Sequence, residues 1–524
     1  MFTNTLLKIT AGSADTELGK QWGLGKVQTV EHNRQNVPLT NYEVYKQYID
    51  RMAQNGEENL IAPGKVVFFA PTSGTTSKSK LFPRFSLPPQ LPLRYKRSML
   101  LFCWHRYAAT PSGVPITPAN TAVIGATIEA NPTAYAAPPE AYRIQDLGTA
   151  LYVQLVFGLK DCTLESIWSP FCPTALTAFT LLKQEWKQMV HDIRSGTLRT
   201  NLTEVQRKAL ERAMEGPDYK RADELQTIFE KNTGFESIAK LLWPELRIVD
   251  ALAGGPLSVN VEALQKYLGA DVHLFSSVYA ASEGPGIFGV NEWPFDRERT
   301  SAYTLQTKKV FYEFIPQADV DANNPKVLLA EETEIGEVYE IVITTTEGLY
   351  RYRIGDLIKV LEFSPDGSPV VDIMGRTKMT LSLHGEKLQE FHLTAAMSSL
   401  CKGPWKHHTI TDFTVTAHFE CFPPQHNFWI EVSTENPSAL SAIDLKSCAT
   451  FLDEQLAEVH PSYAGGRAQN MINLPKITLV ATGTFSTLRT KLKQSSPVTE
   501  TQIKIPRIIT DLELTKVLQS NAIL

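Results

Sequence analysis

Six short segments hold residues whose types and spacing could grip a nucleotide. The first is Thr72-Ser73-Gly74-Thr75-Thr76-Ser77-Lys78-Ser79-Lys80. Small hydroxyl residues and a glycine let backbone approach a polyphosphate, and the hydroxyls and amides of Ser73, Gly74, Thr75 and Thr76 can donate to its oxygens. Lys80 adds positive charge. The spacing of the common Gly-rich NTPase loop is absent, and a Ser/Thr-rich stretch is often just a turn. The second is Ala253-Gly254-Gly255-Pro256, where bare backbone could lie against a flat ligand, or simply turn. The third is Tyr279-Ala280-Ala281-Ser282-Glu283-Gly284. Its aromatic ring could stack on a base and its carboxylate could hold a divalent cation, or the pair could be a core tyrosine and a solvated glutamate. The fourth is Tyr352-Arg353-Ile354-Gly355-Asp356, where an aspartate after a tight glycine turn can accept both hydroxyls of a ribose. The fifth is Gly375-Arg376-Thr377-Lys378 with Gly385-Glu386-Lys387 after it. The sixth is Gln502-Ile503-Lys504-Ile505-Pro506-Arg507. A lone lysine such as Lys504 is ordinarily a solvated surface group.

The elements that must position these residues alternate between strand and helix, which points to an α/β or α+β architecture. Lys65–Ala70 is a short apolar run that breaks into the hydroxyl-rich loop, and His273–Val278 leads into the tyrosine segment. Val338–Thr345 is a third strand-like run. Asn41–Asn55 has Val44, Tyr45, Tyr48, Ile49 and Met52 at helical spacing, with Gly56 where a cap belongs. Pro173–Arg194 reads as a longer helix followed by Gly196, and Asn260–Leu268 as a short one. Beyond residue 400, Phe413, Val415, Ala417 and Phe419 alternate with polar residues, as do Phe428, Ile430 and Val432. Pro423-Pro424 separates the two runs, so they read as a hairpin. Asp444–Val459 is an amphipathic helix expected to stop before Pro461. The predicted division is a large N-terminal α/β domain, 1–377, and a smaller α+β domain, 378–524, with the boundary near Gly375 to Met379.

The chain has 524 residues, too many for one ordinary core. Its 43% hydrophobic and 20% charged residues are those of a soluble globular protein. A net charge of −5 offers no general attraction to nucleic acid. Cys103, Cys162, Cys172, Cys401, Cys421 and Cys448 have no metal or redox spacing, so free thiols in a reducing compartment are expected. Residues 1–12 are too short an apolar stretch for a secretory signal, and no run is long enough to span a bilayer. Cytoplasmic location follows as the default, with neither membrane nor nucleic acid as partner, and a monomer is expected.

Each segment alone is a modest signal, but their order is specific. It resembles the adenylate-forming superfamily of acyl-CoA synthetases, peptide-synthetase adenylation domains and luciferases. Ser77 and Ser79 stand where that superfamily's loop has glycine and proline. A closer resemblance runs through Asn41–Lys46 with Asn55-Gly56-Glu57, Phe311-Tyr312-Glu313-Phe314-Ile315-Pro316, Gly348–Asp356, Gly483-Thr484-Phe485 and Gln502–Arg507. These segments are similar to the plant auxin-responsive Gretchen Hagen family of acyl-acid amido synthetases, starting near Thr16-Glu17-Leu18-Gly19.

That resemblance implies two half-reactions: ATP and a small carboxylic acid give acyl-AMP, and an amine such as an amino acid then takes the acyl group. It also implies the roles. Ser73, Thr75 and Thr76 would cradle phosphates, Glu283 would hold Mg²⁺, and Tyr279 would stack on adenine opposite Gly254 and Gly255. Asp356 would accept from the ribose, Arg376 would lie near ribose and phosphate, and Lys504 would swing in with a mobile C-terminal domain to bridge carboxylate and phosphate, with Lys378 at the hinge about which that domain rotates. The acyl pocket is expected between Tyr95 and Phe171, among Trp104, His105, Tyr107, Tyr135 and Tyr142. Two other readings remain: an acyl-CoA synthetase with a thiol acceptor, and a relative with a decayed site that only binds acyl or nucleotide ligands.

Overall fold

A computed structural model describes residues 2–72, 80–87, 95–102, 109–254, 257, 260–284, 287–291, 301–377, 380–383, 386, 388–418, 421, 423–433, 440, 443–468, 471–494 and 503–523. Ser73, Gly74, Thr75, Thr76, Gly255, Lys378, Trp104, His105 and Tyr107 lie outside the described residues.

Local signals set the helix ends. The helix Tyr42–Asn55 starts where the Asn41 side chain accepts from the Glu43 amide and ends at Gly56, φ +69°. The helix Cys172–Ser195 likewise ends at Gly196, φ +69°. Both glycines adopt the left-handed conformation that other residues resist. Leu445–Val459 begins at Asp444 and ends at His460, after which Pro461 starts a new helix, Pro461–Ala468. Proline fits there because a first-turn amide has no helical partner.

Among the described residues there are five sheets, two of them two-stranded pairs and three larger. A parallel four-stranded sheet takes the order Ser98–Leu100, Ser166–Phe171, Ile248–Leu252, His273–Phe275. Parallel neighbours need long crossovers, which helices supply. One of these, Leu147–Lys160, is almost wholly buried because it is apolar on nearly all sides. An antiparallel seven-stranded sheet takes the order Val310–Pro316, Val338–Thr345, Tyr352–Phe363, Pro369–Arg376, Tyr303–Leu305, Ile287–Val290, Val278–Ala280. The expected single strand His273–Val278 is therefore two strands, His273–Phe275 and Val278–Ala280, in different sheets. In the C-terminal region Thr409–His418 pairs antiparallel with Gln425–Ser433, and Lys476–Val480 joins the latter in parallel.

The cores are nested. One joins buried residues from Met99 to Leu274 around the parallel sheet. A second joins Leu6–Phe82 and Val114 to Tyr279–Val371, so in sequence it brackets the first. Buried residues from Leu381 to Ile508 form a third around the three-stranded sheet, and a small fourth joins Trp429, Val480 and Phe485 to the last helix, Leu512–Ser520. The helix Phe2–Gly12 belongs to the second core: Leu6 and Ile9 are buried, and the Thr5 hydroxyl donates to the Thr307 carbonyl at 2.8 Å. Among the described residues no helix is long and apolar enough to cross a membrane.

Candidate active site

Asp356 is the centre of the site. It lies within the strand Tyr352–Phe363, not after a tight turn; Gly355 is accommodated in the strand at φ +82°. Arg376, on the neighbouring strand, is its direct cross-strand partner, and the Arg376 Nε donates to the Asp356 Oδ1 at 2.9 Å. The other oxygen, Oδ2, accepts from the Tyr279 hydroxyl at 2.7 Å. A charge-assisted pair of this length fixes the orientation of the carboxylate. Loss of water, then the neighbouring Asp356 charge, hold the Tyr279 phenol well above the usual range, so it stays a donor.

Tyr279 is packed into the second core. In a strand, successive side chains face opposite sides. Tyr279 points inward at 3% exposure, against Phe288 and Tyr303 at centroid distances of 5.6 and 6.2 Å, while Ala280 faces out. The part of Tyr279 here is to orient Asp356.

Glu283 follows that strand and is buried. Its carboxylate lies 3.9 Å from the Arg376 guanidinium. Burial raises its pKa; Arg376 opposes this, and Asp356 adds to it. Among the described residues no three His, Cys, Asp or Glu side chains converge as a cage for a metal. A single buried carboxylate beside a polyphosphate is nonetheless how Mg²⁺ is commonly held, with phosphate and water completing its shell. The donor set at Glu283 fits that mode.

Ser282 donates its hydroxyl to the Pro71 carbonyl at 3.1 Å. It thereby ties the Glu283 segment to the strand Phe68–Pro71, which feeds the hydroxyl-rich loop. The loop's base is closed by the Thr72 amide donating to the Lys80 carbonyl at 2.9 Å. The Lys80 ammonium sits 5.1 Å from the Tyr42 ring centroid, within the electrostatic reach of Glu283. Gly254 is close to the same wall: a Cβ on it would come within 3.5 Å of the Tyr303 hydroxyl and 3.4 Å of Ser301.

Lys504 reaches this cleft from the C-terminal region. Ile503 and Ile505 are buried on either side of it, and Lys504 between them is accessible. Its ammonium lies 5.0 Å from the Phe171 ring centroid, a favourable cation–π distance. Water reaches both Lys504 and Arg376, whose side chain is 52% exposed, but protein surrounds them on the cleft walls. Thinned solvent, then the Arg376 charge, lower the Lys504 pKa; Asp356, Glu390 and Glu283 oppose the shift. Arg376 is held firmly charged, above all by Asp356.

Glu283, Asp356, Arg376 and Lys504 thus converge from four segments. Phe171 and Glu390 join them without having been singled out. Phe171 ends a parallel strand and Glu390 begins a helix, and neither position carries a motif. Of the aromatic residues expected around an acyl pocket, Tyr135 and Tyr142 are buried in the first core.

Comparison with known proteins gives the family. Residues 2–273 match the GH3 family N-terminal domain, 303–376 the GH3 family central domain and 391–513 the GH3 family C-terminal domain. The chain is 25% identical to indole-3-acetic acid-amido synthetase GH3.3 of Arabidopsis thaliana, with 98% of this chain and 90% of that protein covered. It is 27% identical to the 4-substituted benzoates-glutamate ligase GH3.12 of the same plant, over 93% and 89%. In fold it resembles the AtGH3.15 acyl acid amido synthetase, with TM-score 0.86, 24% identity and coverage of 100% and 93%. A more distant fold match is 2-hydroxyisobutyryl-CoA ligase in its postadenylation state, with TM-score 0.56, 12% identity and coverage of 99% and 92%. The chain belongs to the GH3 family of acyl-acid amido synthetases.

Proposed function

We propose that the chain uses ATP to activate a small carboxylic acid as its acyl-AMP, and then transfers the acyl group to the amine of an amino acid. In the first half-reaction a carboxylate oxygen attacks the α-phosphorus of ATP, the bond to the bridging oxygen breaks, and pyrophosphate leaves. Two anions must meet, so the site has to offset their charge with fixed cations. The observation that carries the reading is the convergence of Lys504 and Arg376 on one cleft, facing Asp356 and Glu283.

Each side chain then has a task. Asp356 keeps lone pairs for the ribose hydroxyls after taking Tyr279 and Arg376, because a carboxylate accepts at about four sites. Arg376 neutralises charge beside the α-phosphate, and Lys504 bridges it to the incoming carboxylate. Ser73, Gly74, Thr75 and Thr76 receive the β- and γ-phosphates, with Lys80 at the loop's base, and Gly254 and Gly255 flank the base. Glu283 would hold Mg²⁺, which supplies further positive charge to the phosphates. In the second half-reaction the amine nitrogen attacks the acyl carbon, its proton is lost, and AMP leaves. Residues 378–524 are the unit that would shift between the two steps, with Lys378 at the pivot.

Lys504→Ala tests this. ATP–pyrophosphate exchange should be run with indole-3-acetate and 4-substituted benzoates, alongside amide formation from synthetic acyl-AMP plus glutamate. Exchange should fall by about 10²–10³, while amide formation suffers much less, since no bridge is needed once the acyl-AMP exists. Unchanged exchange would remove Lys504 from the mechanism. Acyl transfer to coenzyme A in place of glutamate would replace the amide reading with a thioester one.

A further inference from the structure

The segment that carries Lys504 is laid down by a buried ionic anchor that the chemistry does not use. Past Lys504 the chain runs beside the strand Thr409–His418 as a short parallel neighbour. The Val415 amide donates to the Arg507 carbonyl at 2.9 Å, and the Ile509 amide returns to the Val415 carbonyl at 3.0 Å. The Thr414 hydroxyl donates to the Pro506 carbonyl at 2.7 Å. Arg507 pins the register. It is 2% exposed, its Nη1 donates to the Asp412 Oδ1 and the Phe413 carbonyl at 2.5 Å each, and its guanidinium lies 4.5 Å from the Phe413 ring centroid. Asp412, equally buried, also accepts from the Arg489 Nη2 at 3.1 Å.

Two contacts tie this anchor to the rest of the cleft. The Arg507 amide donates to the Glu390 Oε1 at 3.2 Å. Glu390 is itself buried and packs against Gly375: a Cβ there would sit 3.7 Å from the Glu390 Cβ. Glu390 therefore lies near the backbone next to Arg376 on one side, accepts from the Lys504 segment on the other, and its charge bears on both Arg376 and Lys504. Meanwhile the start of the strand Thr409–His418 rests on the helix Val261–Leu268 and the residue before it. The Asn260 Nδ2 donates to the Thr411 carbonyl at 2.9 Å, and the Lys266 ammonium donates to the Thr409 hydroxyl at 3.3 Å. Asn260 and Lys266 belong to the start and body of the helix Val261–Leu268, just after the double glycine. A register shift between Ile410 and Asp412 lets one strand serve both sides.

We propose that Asp412, Arg507 and Glu390 are positioning residues for adenylation, which transmit docking of this strand on Asn260 to the placement of the Lys504 ammonium. The proposal rests on the bridging role given to Lys504 above. It requires the guanidinium fork of Arg507, since a lysine ammonium cannot reproduce contacts to Asp412 and Phe413 while stacking on the ring.

The experiment measures kcat and KM in ATP–pyrophosphate exchange for Arg507→Lys, Asp412→Asn and Asn260→Ala, each alone and combined with Lys504→Ala. Amide formation from synthetic acyl-AMP is followed in parallel. Each single variant should lower the exchange kcat, by about tenfold for Arg507→Lys and Asp412→Asn and less for Asn260→Ala, with KM for ATP within about twofold. In the Lys504→Ala background they should cost nothing more, because residues acting through one group are not additive. Amide formation should stay near normal. Losses that multiply with Lys504→Ala, or that fall equally on both half-reactions, would overturn the proposal. If Arg507→Lys does not fold, Asp412→Asn and Glu390→Gln, which keep shape and an acceptor oxygen, carry the same comparison. Normal exchange in Arg507→Lys and Asp412→Asn with a loss in Lys504→Ala sinks this proposal alone. Normal exchange in Lys504→Ala sinks the bridging role first.

Discussion

Asp356 shows how much one carboxylate depends on its neighbours. Arg376 supplies its counter-charge from the next strand, and Tyr279 donates from beneath. Removing the hydroxyl with Tyr279→Phe keeps the ring in its packing and deletes one hydrogen bond to a charged group, worth about 1.5–3 kcal/mol. The expected outcome is a KM for ATP raised severalfold, with kcat nearly unchanged, read from steady-state amide formation. A normal KM with a lowered melting temperature would reduce Tyr279 to a core residue. Glu283, Asp356, Arg376 and Lys504 were legible through the order of their segments and the family resemblance, since each alone is a modest signal. What Tyr279 does was not. Its part depends on which face of a three-residue strand points inward, and that is decided by Phe288 and Tyr303 from other strands.

At the scale of elements, the long segments that carry the family resemblance turn out to bond to one another. Glu313, in the strand Val310–Pro316, is 1% exposed and faces Arg351, which follows the turn after Val338–Thr345. The Arg351 Nε donates to the Glu313 Oε2 at 2.9 Å, and the Arg34 Nε, from the helix Val30–Asn36, donates to the Oε1 at 2.8 Å. The Arg351 Nη1 reaches the Val37 carbonyl at 2.9 Å, and its backbone takes φ +45°. These motifs therefore hold the early helices on the seven-stranded sheet. Glu313→Ala would strand two guanidinium groups against protein, at a cost of about 3–5 kcal/mol. Urea unfolding should show that loss, while KM for ATP of the folded fraction is retained. Helices were readable from their periodicity and caps. The parallel sheet was much less so, since strands as short as Ser98–Leu100 and His273–Phe275 leave no periodic signal and owe their existence to the helices that cover them.

For the whole molecule, the cleft exists only where the C-terminal region meets the rest, and the Lys504 ammonium responds to that meeting. Away from the cleft walls it would have an ordinary lysine pKa; within them it is lowered. In the bridging role proposed for Lys504 the working form is the protonated one, so kcat/KM for ATP should fall as pH rises through the depressed value, below the usual lysine range. Because kcat/KM reports the free enzyme, ATP's own charge does not mask the effect. Lys504→Arg should carry the alkaline limb to higher pH, since a guanidinium keeps its proton. A limb that stays in place would belong to another group.

The bracketing of one core by another has a consequence for how the chain is made. Residues 99–274 close a core among themselves, so they can condense as soon as they leave the ribosome. Leu6, Tyr45, Phe69 and the rest of the early apolar residues cannot, because their partners are strands from Tyr303 onward. For the time it takes to synthesise some two hundred residues, at about 5–20 residues per second, those early side chains have no native surface to cover them. The nascent chain thus carries a folded knob behind one sticky N-terminal arm for tens of seconds, and it is there, on apolar residues such as Leu6, Tyr45 and Phe82, that a holdase chaperone would find its grip.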